Sequence, residues 1–242
     1  MSLLALSRTN GEAMYAQIRR VLEQEIRTLL KPGALLPPES ELASRFAVNR
    51  HTLRRAMDGL IARGLIERRH GKGSVVLGAP LDYDVHAQTR FTDTLEALGR
   101  RPESRVIRKL VIPARGGVAT RLALEEGAAV IWVETLRLAD ERPFCVISHF
   151  LPAARVPGLI ENYAGGSLHE FLRVGYGARL RRAESLLSAA LPLGDDASLL
   201  AMPQHQPVLR VKSINVDERD GTRFEYALTR FRADRVQLRI SP

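Results

Sequence analysis

The chain has 242 residues, 45% hydrophobic and 26% charged, an ordinary globular composition with apolar material for more than one core. A single cysteine, Cys145, excludes an internal disulfide and fits a reducing, cytoplasmic setting; no run of eighteen apolar residues is present to span a membrane, and MSLLALSRTNGEAMYAQ lacks the basic-then-apolar order of a secretory signal. The formal net charge of +9 is uneven: residues 1–78 carry 13 Lys+Arg against 7 Asp+Glu, and the remaining 164 carry 23 against 20, which points to a polyanion as partner of the first third.

Met14, Ile18, Val21, Leu22, Ile26, Leu29 and Leu30 recur at three- and four-residue steps, which predicts one apolar stripe on a first helix. The Gly/Pro-rich stretch KPGALLPP (31–38) ends it. A short second helix follows with Leu42, Ala43 and Phe46 inward, then AVN as a tight turn, and Asn49 as the N-cap of a third helix. There Leu53, Ala56, Met57, Leu60 and Ile61 form the buried face, and Gly64 stops the helix. The period then changes to two: LIERRHGKGSVV reads as two short strands around His70-Gly71-Lys72-Gly73. GAPLDYDVHAQTR (78–90) has neither period and reads as a linker, giving a first domain 1–78, a linker 79–90 and a second domain 91–242.

From Phe91 onward the pattern is mixed. RVIRKLVIP, AVIWVETLRLAD, FCVISHFLP, ARLRRAESLLSAALP, PVLRVKSINVD, RFEYALTRFRAD and VQLRI are strand candidates, and ADERP and ERDGT suit hairpin turns, so a mostly antiparallel sheet is predicted. GGVATRLALEE, SLHEFLRV and LGDDASLLAM read as short helices, the second opened by a capping box of Ser167 and Glu170. The fold class is therefore α+β.

Three helices, a tight turn before the third and a short hairpin after it make a winged helix-turn-helix, and its charge suits DNA. With the third helix held by its apolar face, Asn49, Arg50, His51 and Arg54 at its N-terminal end can enter a major groove. Arginine can pair bidentately with guanine and asparagine with adenine. Thr52 and the helix N-terminus suit phosphates. The wing glycines let backbone approach the duplex, with His70 and Lys72 toward backbone or minor groove. A merely solvated basic face is the bland alternative. The helix-turn-helix spacing, the glycine-bounded wing and the scarcity of acid weigh against it: between Arg45 and Lys72 only Asp58 and Glu67 oppose eight bases.

The stretch LLPPESELASRFAVNRHTLRRAMDGLIARGLIERRHGKGSVV resembles the DNA-binding domain of the GntR family of bacterial transcription factors. NRHTLRRA, QTRFTDTLEALGRRP and GSLHEFLR are similar to its HutC branch, and within that to PhnF-type regulators of phosphonate metabolism. The resemblance implies DNA contact by Arg50, Thr52 and Arg54, with His70 and Gly71 in the wing. Two departures stand out. Ser40 lies between Glu39 and Glu41 where the family often has arginine, which puts a DNA contact there in doubt, and His51 replaces a more usual Ser or Thr.

The resemblance also implies a dimer and a second domain of chorismate-lyase-like (UTRA) fold that binds a small acidic effector. Its positions for that ligand match Arg137, His149 and Glu225, with Phe91 and Thr92 nearby. Arginine forks suit carboxylate, phosphate or phosphonate oxygens. Strand alternation alone, with Arg137 between Leu136 and Leu138, favours an outward-facing residue; the resemblance implies the reverse. Sugar-phosphate binders of the branch carry a second arginine two positions earlier, where this chain has Thr135, which argues against a sugar phosphate as the ligand. The residues themselves show no metal spacing, since His86, His149, His169 and His205 are scattered. They show no phosphate loop of the Gly-Lys type either, and Cys145 reads as a packed core residue. No cofactor, metal or catalytic residue is expected. The reading is a cytoplasmic, dimeric, effector-modulated repressor on double-stranded operator DNA, with no membrane partner. Its rivals are a regulator of the same branch responding to another small acid (a sugar phosphate or an imidazole-derived acid), a lyase-like enzyme with a DNA-binding head, and a nucleoid-style binder without effector.

Overall fold

The computed structural model describes residues 12–69, 71, 73–77, 81–84, 91–97 and 99–239. They fall into two compact units divided between Leu81 and Asp82.

The first unit contains α1 (Met14–Leu29), α2 (Glu39–Arg45), α3 (Arg50–Ala62), β1 (Ile66–Arg69) and β2 (Gly73–Val76). Ile18, Val21, Leu22 and Ile26 bury the predicted stripe of α1. Leu29 is instead 74% exposed, because the stripe runs past the core at the end of the helix. Leu42 of α2 and Leu53, Ala56, Met57 and Leu60 of α3 complete one cluster with Ile66 and Val76 of the hairpin. Ala47 adopts φ 49° in the turn between α2 and α3. The Asn49 side chain accepts the Thr52 N–H at 2.8 Å, and Gly64, at φ 67°, lets the chain leave α3. β1 and β2 pair antiparallel from Ile66↔Val76 to Arg69↔Gly73. The stretch that ends α1 does more than break a helix: Leu35 bridges Val75, with Val76 N–H to Ala34 O at 2.8 Å and Leu36 N–H to Ser74 O at 2.8 Å.

β3 (Leu81–Asp84), placed by sequence in the linker, pairs with β10 (Val236–Arg239) of the second unit. The remaining elements are α4 (Phe91–Ala97), β4 (Pro102–Pro113), α5 (Gly117–Leu122), β5 (Ala129–Ala139), β6 (Arg142–Pro152), a 3-10 turn (Ala153–Arg155), α6 (Leu159–Asn162), α7 (Leu168–Tyr176), β7 (Leu180–Ala190), α8 (Asp196–Leu199), β8 (Val208–Asp217) and β9 (Arg223–Arg232). The main sheet has the order β4-β5-β6-β9-β8-β7, every neighbour antiparallel. It is two three-stranded meanders joined at β6 and β9.

Both faces are covered. Ile131, Val133 and Leu151 pack against α6 and α7 on one face. Leu136, Leu138 and Val146 pack against α8, and Val130 and Tyr226 against α5, on the other. This is why alternation misleads at Arg137: Leu136, Arg137 and Leu138 are 8%, 4% and 2% exposed, so neither face of β5 meets solvent there. The outward-facing expectation is overturned. On Arg137's face lies a cavity; on the other, Arg230 Nη2 meets Glu134 Oε1 at 2.7 Å and Arg230 Nε meets Asp196 Oδ1 at 2.8 Å, a buried ion network. Cys145 is fully buried, as its sequence position suggested.

Candidate functional sites: a basic helix end and a buried arginine cavity

In the first unit the question is which basic side chains remain available once the fold has formed. Arg45 pairs with Glu25, Arg63 with Glu23 at 2.8 Å, Arg68 with Glu39 at 3.0 Å and Asp58 at 2.7 Å, and Arg69 with Glu67 at 2.6 Å. Arg55 lies 4.0 Å over the Tyr15 ring. Among the described residues Arg50, His51 and Arg54 have no ion-pair partner, and all three are exposed on the first turns of α3. No acidic residue occupies that first turn, although the positive end of a helix favours one. Arg50 and Arg54 also stand one turn apart, a like-charge spacing that repels. The arrangement is unfavourable unless an anion arrives.

Asn49 and Thr52 sit at the same end but are differently employed. Asn49 Oδ1 is taken up as the cap, whereas a bidentate adenine contact needs that oxygen together with Nδ2. Thr52 is half-buried, and Gly71 is exposed in the wing at φ 71°. His70 and Lys72 lie outside the described residues. Ser40 is exposed on α2, one turn before Ser44, whose hydroxyl donates to its carbonyl at 3.0 Å.

The second unit brings Phe91, Thr92, Arg137, His149 and Glu225 to the wall of one cavity of about 70 Å³, although they come from α4, β5, β6 and β9. Register explains the convergence: Arg137 pairs with Cys145 and His149 with Ala227, so side chains of one parity on three neighbouring strands share a face. Arg137 Nη1 donates to Gly166 O at 3.0 Å, and its guanidinium lies 5.6 Å over the Phe91 ring. Its Nε is buried without a hydrogen-bond partner, and no carboxylate pairs with it among the described residues. A buried guanidinium in that state is strongly disfavoured unless an anion shares its site. The N-terminal turn of α7, with Ser167 accepting the Glu170 N–H at 3.4 Å, also lines the cavity.

Two of the four histidines that the sequence leaves scattered, His149 and His169, meet at Glu225, while His86 lies outside the described residues. His149 Nδ1 contacts Glu225 Oε1 at 2.5 Å and His169 Nε2 contacts Glu225 Oε2 at 2.7 Å. Asn215 Nδ2 donates to Oε2 as well. Burial pushes the Glu225 carboxyl up, but the field of His169 and hydrogen bonds from both imidazoles outweigh it and hold the group well below the usual carboxylate range. Burial pushes His149 down, against the pull of Glu225. A neutral His149 facing an ionised carboxylate must donate from Nδ1, which leaves Nε2 unprotonated. That atom is buried without a partner, a loss of about 1–3 kcal/mol for a polar atom so placed. Sequence reasoning missed His169, Asn215, Arg182 and Tyr83 in this wall. The available signal was the position of His169 two residues after Ser167, which the sequence marks as the cap of a helix.

Comparison with known proteins agrees with this division. Residues 14–76 match the bacterial regulatory proteins of the gntR family, and residues 97–237 match the UTRA domain. The chain is 37% identical over 229 residues to the probable transcriptional regulator PhnF of Escherichia coli (strain K12), covering 95% of each chain. It is 27% identical over 223 residues to the HTH-type transcriptional repressor NagR of Bacillus subtilis (strain 168), covering 92% of this chain and 91% of that one. The crystal structure of PhnF from Mycobacterium smegmatis superposes with a TM-score of 0.65 at 26% identity, covering 93% of this chain and 98% of that one. With a helix-turn-helix that carries unpaired arginines at the N-terminus of its third helix and a UTRA domain following it in sequence, the chain belongs to the GntR family of transcriptional regulators, in its HutC, UTRA-bearing branch.

Proposed function

We propose that the chain is a cytoplasmic, homodimeric repressor whose hold on operator DNA is modulated by a small anion related to phosphonate or phosphate. The first domain, residues 1–78, binds duplex DNA: Arg50, His51 and Arg54 read the major groove, Thr52 and the α3 N-terminus hold phosphate, and His70, Gly71 and Lys72 form the wing. Asn49 contributes chiefly as the cap that orients this end. The second domain, residues 91–242, binds the effector, with Arg137 as its anion receptor and Phe91, Thr92, His149 and Glu225 around it. A dimer matches an operator of two half-sites. Effector can act only by binding the DNA-competent and DNA-incompetent arrangements with different affinity.

The observation that carries the effector half is the buried Arg137 guanidinium with no carboxylate partner among the described residues. Relatives with the names PhnF and NagR support the regulatory half. The test is fluorescence anisotropy with an operator selected from random duplexes, repeated with methylphosphonate, inorganic phosphate, sugar phosphates and imidazole-derived acids. An affinity change with the first two and not the others is expected; no change with any of them refutes the effector reading. The lyase-like alternative gains one observation, the convergence of His149, Glu225 and His169 into a group able to exchange protons. It predicts consumption of a small acid by the purified chain, whereas the regulatory reading predicts recovery of unchanged ligand.

A further inference from the structure

Glu225 poses an electrostatic problem for the effector site proposed above, and its solution rests on that reading. The residue is 0% exposed and lines the same cavity as Arg137. An ionised carboxylate there repels the anion that Arg137 attracts. Arg182 lines the same wall and offsets part of that repulsion; a cation beside Glu225, supplied by the ligand or held by the site, would remove the rest.

An ammonium group on the ligand would need an oxygen to accept its hydrogen bonds. Only one lone pair of Oε1 is left for it, because Oε1 already accepts from His149 Nδ1, and Oε2 from His169 Nε2 and Asn215 Nδ2. A metal ion is not limited in this way. Neutral imidazole binds it through a lone pair and a carboxylate through either oxygen; a neutral His149 presents that lone pair at Nδ1 once its proton moves to Nε2. We propose that His149, His169 and Glu225 form a site for one divalent transition-metal ion, of which Zn²⁺ is the type, and that the ion completes the anion-binding cavity.

The geometry is close to what such an ion requires. One donor atom from each of the three residues lies within 4.8 Å of the others, and the contacts to Glu225 are 2.5 and 2.7 Å. A tetrahedron with bonds of ~2.0–2.1 Å has edges of about 3.4 Å, between those limits. His149 and Glu225 stand on adjoining strands, and His169 on the first turn of a helix, so all three come from regular elements. Two imidazoles and one carboxylate select Zn²⁺, Co²⁺ or Ni²⁺ over Mg²⁺ or Ca²⁺, which prefer all-oxygen shells. Asn215 holds the carboxylate from behind, as hydrogen-bond donors that orient metal ligands do. Three protein ligands leave a fourth position for an effector oxygen. The ion adds two positive charges beside Glu225, so with Arg137 and Arg182 the cavity suits a dianion.

The experiment uses the full chain, stripped with chelator and dialysed, and titrated with CoCl₂ for its visible ligand-field spectrum and with ZnCl₂ by calorimetry. One ion per chain with a tetrahedral cobalt spectrum is expected. His169→Gln and Glu225→Gln should each weaken binding by at least about 100-fold, beyond the loss usual when only a residue that orients a ligand is changed, while Arg137→Ala should keep the cobalt spectrum. Absence of a cobalt spectrum in the wild-type chain overturns the proposal, without reliance on any variant. So does stoichiometric binding that survives the double substitution, because the ion then sits elsewhere. Methylphosphonate separates the two readings. If it binds the stripped chain as tightly as the zinc-loaded one, the metal inference fails and the effector cavity stands. If zinc binds and methylphosphonate does not, the metal site stands and the effector reading fails. Tight binding of an aminoalkylphosphonate to the stripped chain, unchanged by zinc, assigns the missing cation to the ligand and also overturns the proposal.

Discussion

Removing Arg50 should affect folding and DNA binding in opposite directions. It is the first residue of α3, whose first turn holds no acid, so its charge opposes the helix dipole, an effect of about 0.3–1 kcal/mol. Arg54, one turn on, adds a like-charge repulsion of roughly 0.2–0.5 kcal/mol. No ion pair among the described residues offsets either term, and the exposed side chain contributes little packing. Arg50→Ala should therefore stabilise the first unit by about 0.5–1.5 kcal/mol, or roughly 2–12 °C for a domain of this size. Loss of a bidentate base contact should simultaneously weaken operator binding by about 1–3 kcal/mol, or roughly 5- to 150-fold in Kd. The assays are urea unfolding and anisotropy with a selected operator at fixed salt, with random duplex as control. Unchanged operator affinity would refute the placement of Arg50 at the interface. An equal loss on operator and random duplex would make it a phosphate contact rather than a base reader. Destabilisation by more than about 1 kcal/mol would show that the residue holds the fold, contrary to its exposure.

Arg137→Ala should abolish effector-induced stabilisation, about 2.7 kcal/mol at a hundredfold excess of ligand over Kd, and Arg137→Lys should restore only part of it because the fork is lost; a full thermal shift in the alanine variant defeats the assignment. Arg230→Met should destabilise the second unit by about 3 kcal/mol, the low end for breaking a buried pair, because Arg108 still faces Glu134 Oε2 at 2.8 Å while Asp196 loses its Arg230 contact. A change below about 1 kcal/mol in urea unfolding would contradict that account. Burial pushes Asp234 up, but its two contacts to Arg232, at 3.0 and 2.7 Å, outweigh this and lower its pKa below the ordinary 3.8. A carboxyl depressed in the folded state stabilises above its unfolded pKa and loses that contribution as pH falls through the folded one. The stability advantage of wild type over Asp234→Asn should then be constant between pH 5 and 7, about one unit or more above that value, and shrink below 3.8. An advantage that grows on acidification would reverse the sign and exclude this cause.

The DNA-binding end was legible in the sequence because local rules govern it. A 3.6-residue stripe, an Asn cap and a glycine stop fix which face of α3 is buried, so the exposure of Arg50, His51 and Arg54 follows from residues within one helix. The alternating strands and hairpin turns of the second half likewise set a largely antiparallel sheet. Which of its basic residues would be left unpaired was not local: Arg63 and Arg68 find acids 40 and 29 residues away, and only packing selects those partners. The same holds for the cavity. Alternation assumes one wet face, and helices on both faces of β5 remove it, so Arg137 could be turned inward by family likeness but not by pattern. Leu81–Asp84 carried no strand period of its own; its partner strand at Val236–Arg239 lies at the far end of the chain. His149, His169 and Glu225 are separated by 20 and 56 residues, with no metal or catalytic spacing to connect them. Their meeting is a product of the β6–β9 register and of where α7 begins, because a side chain's neighbours across a sheet are set by strand order, which residue spacing does not encode.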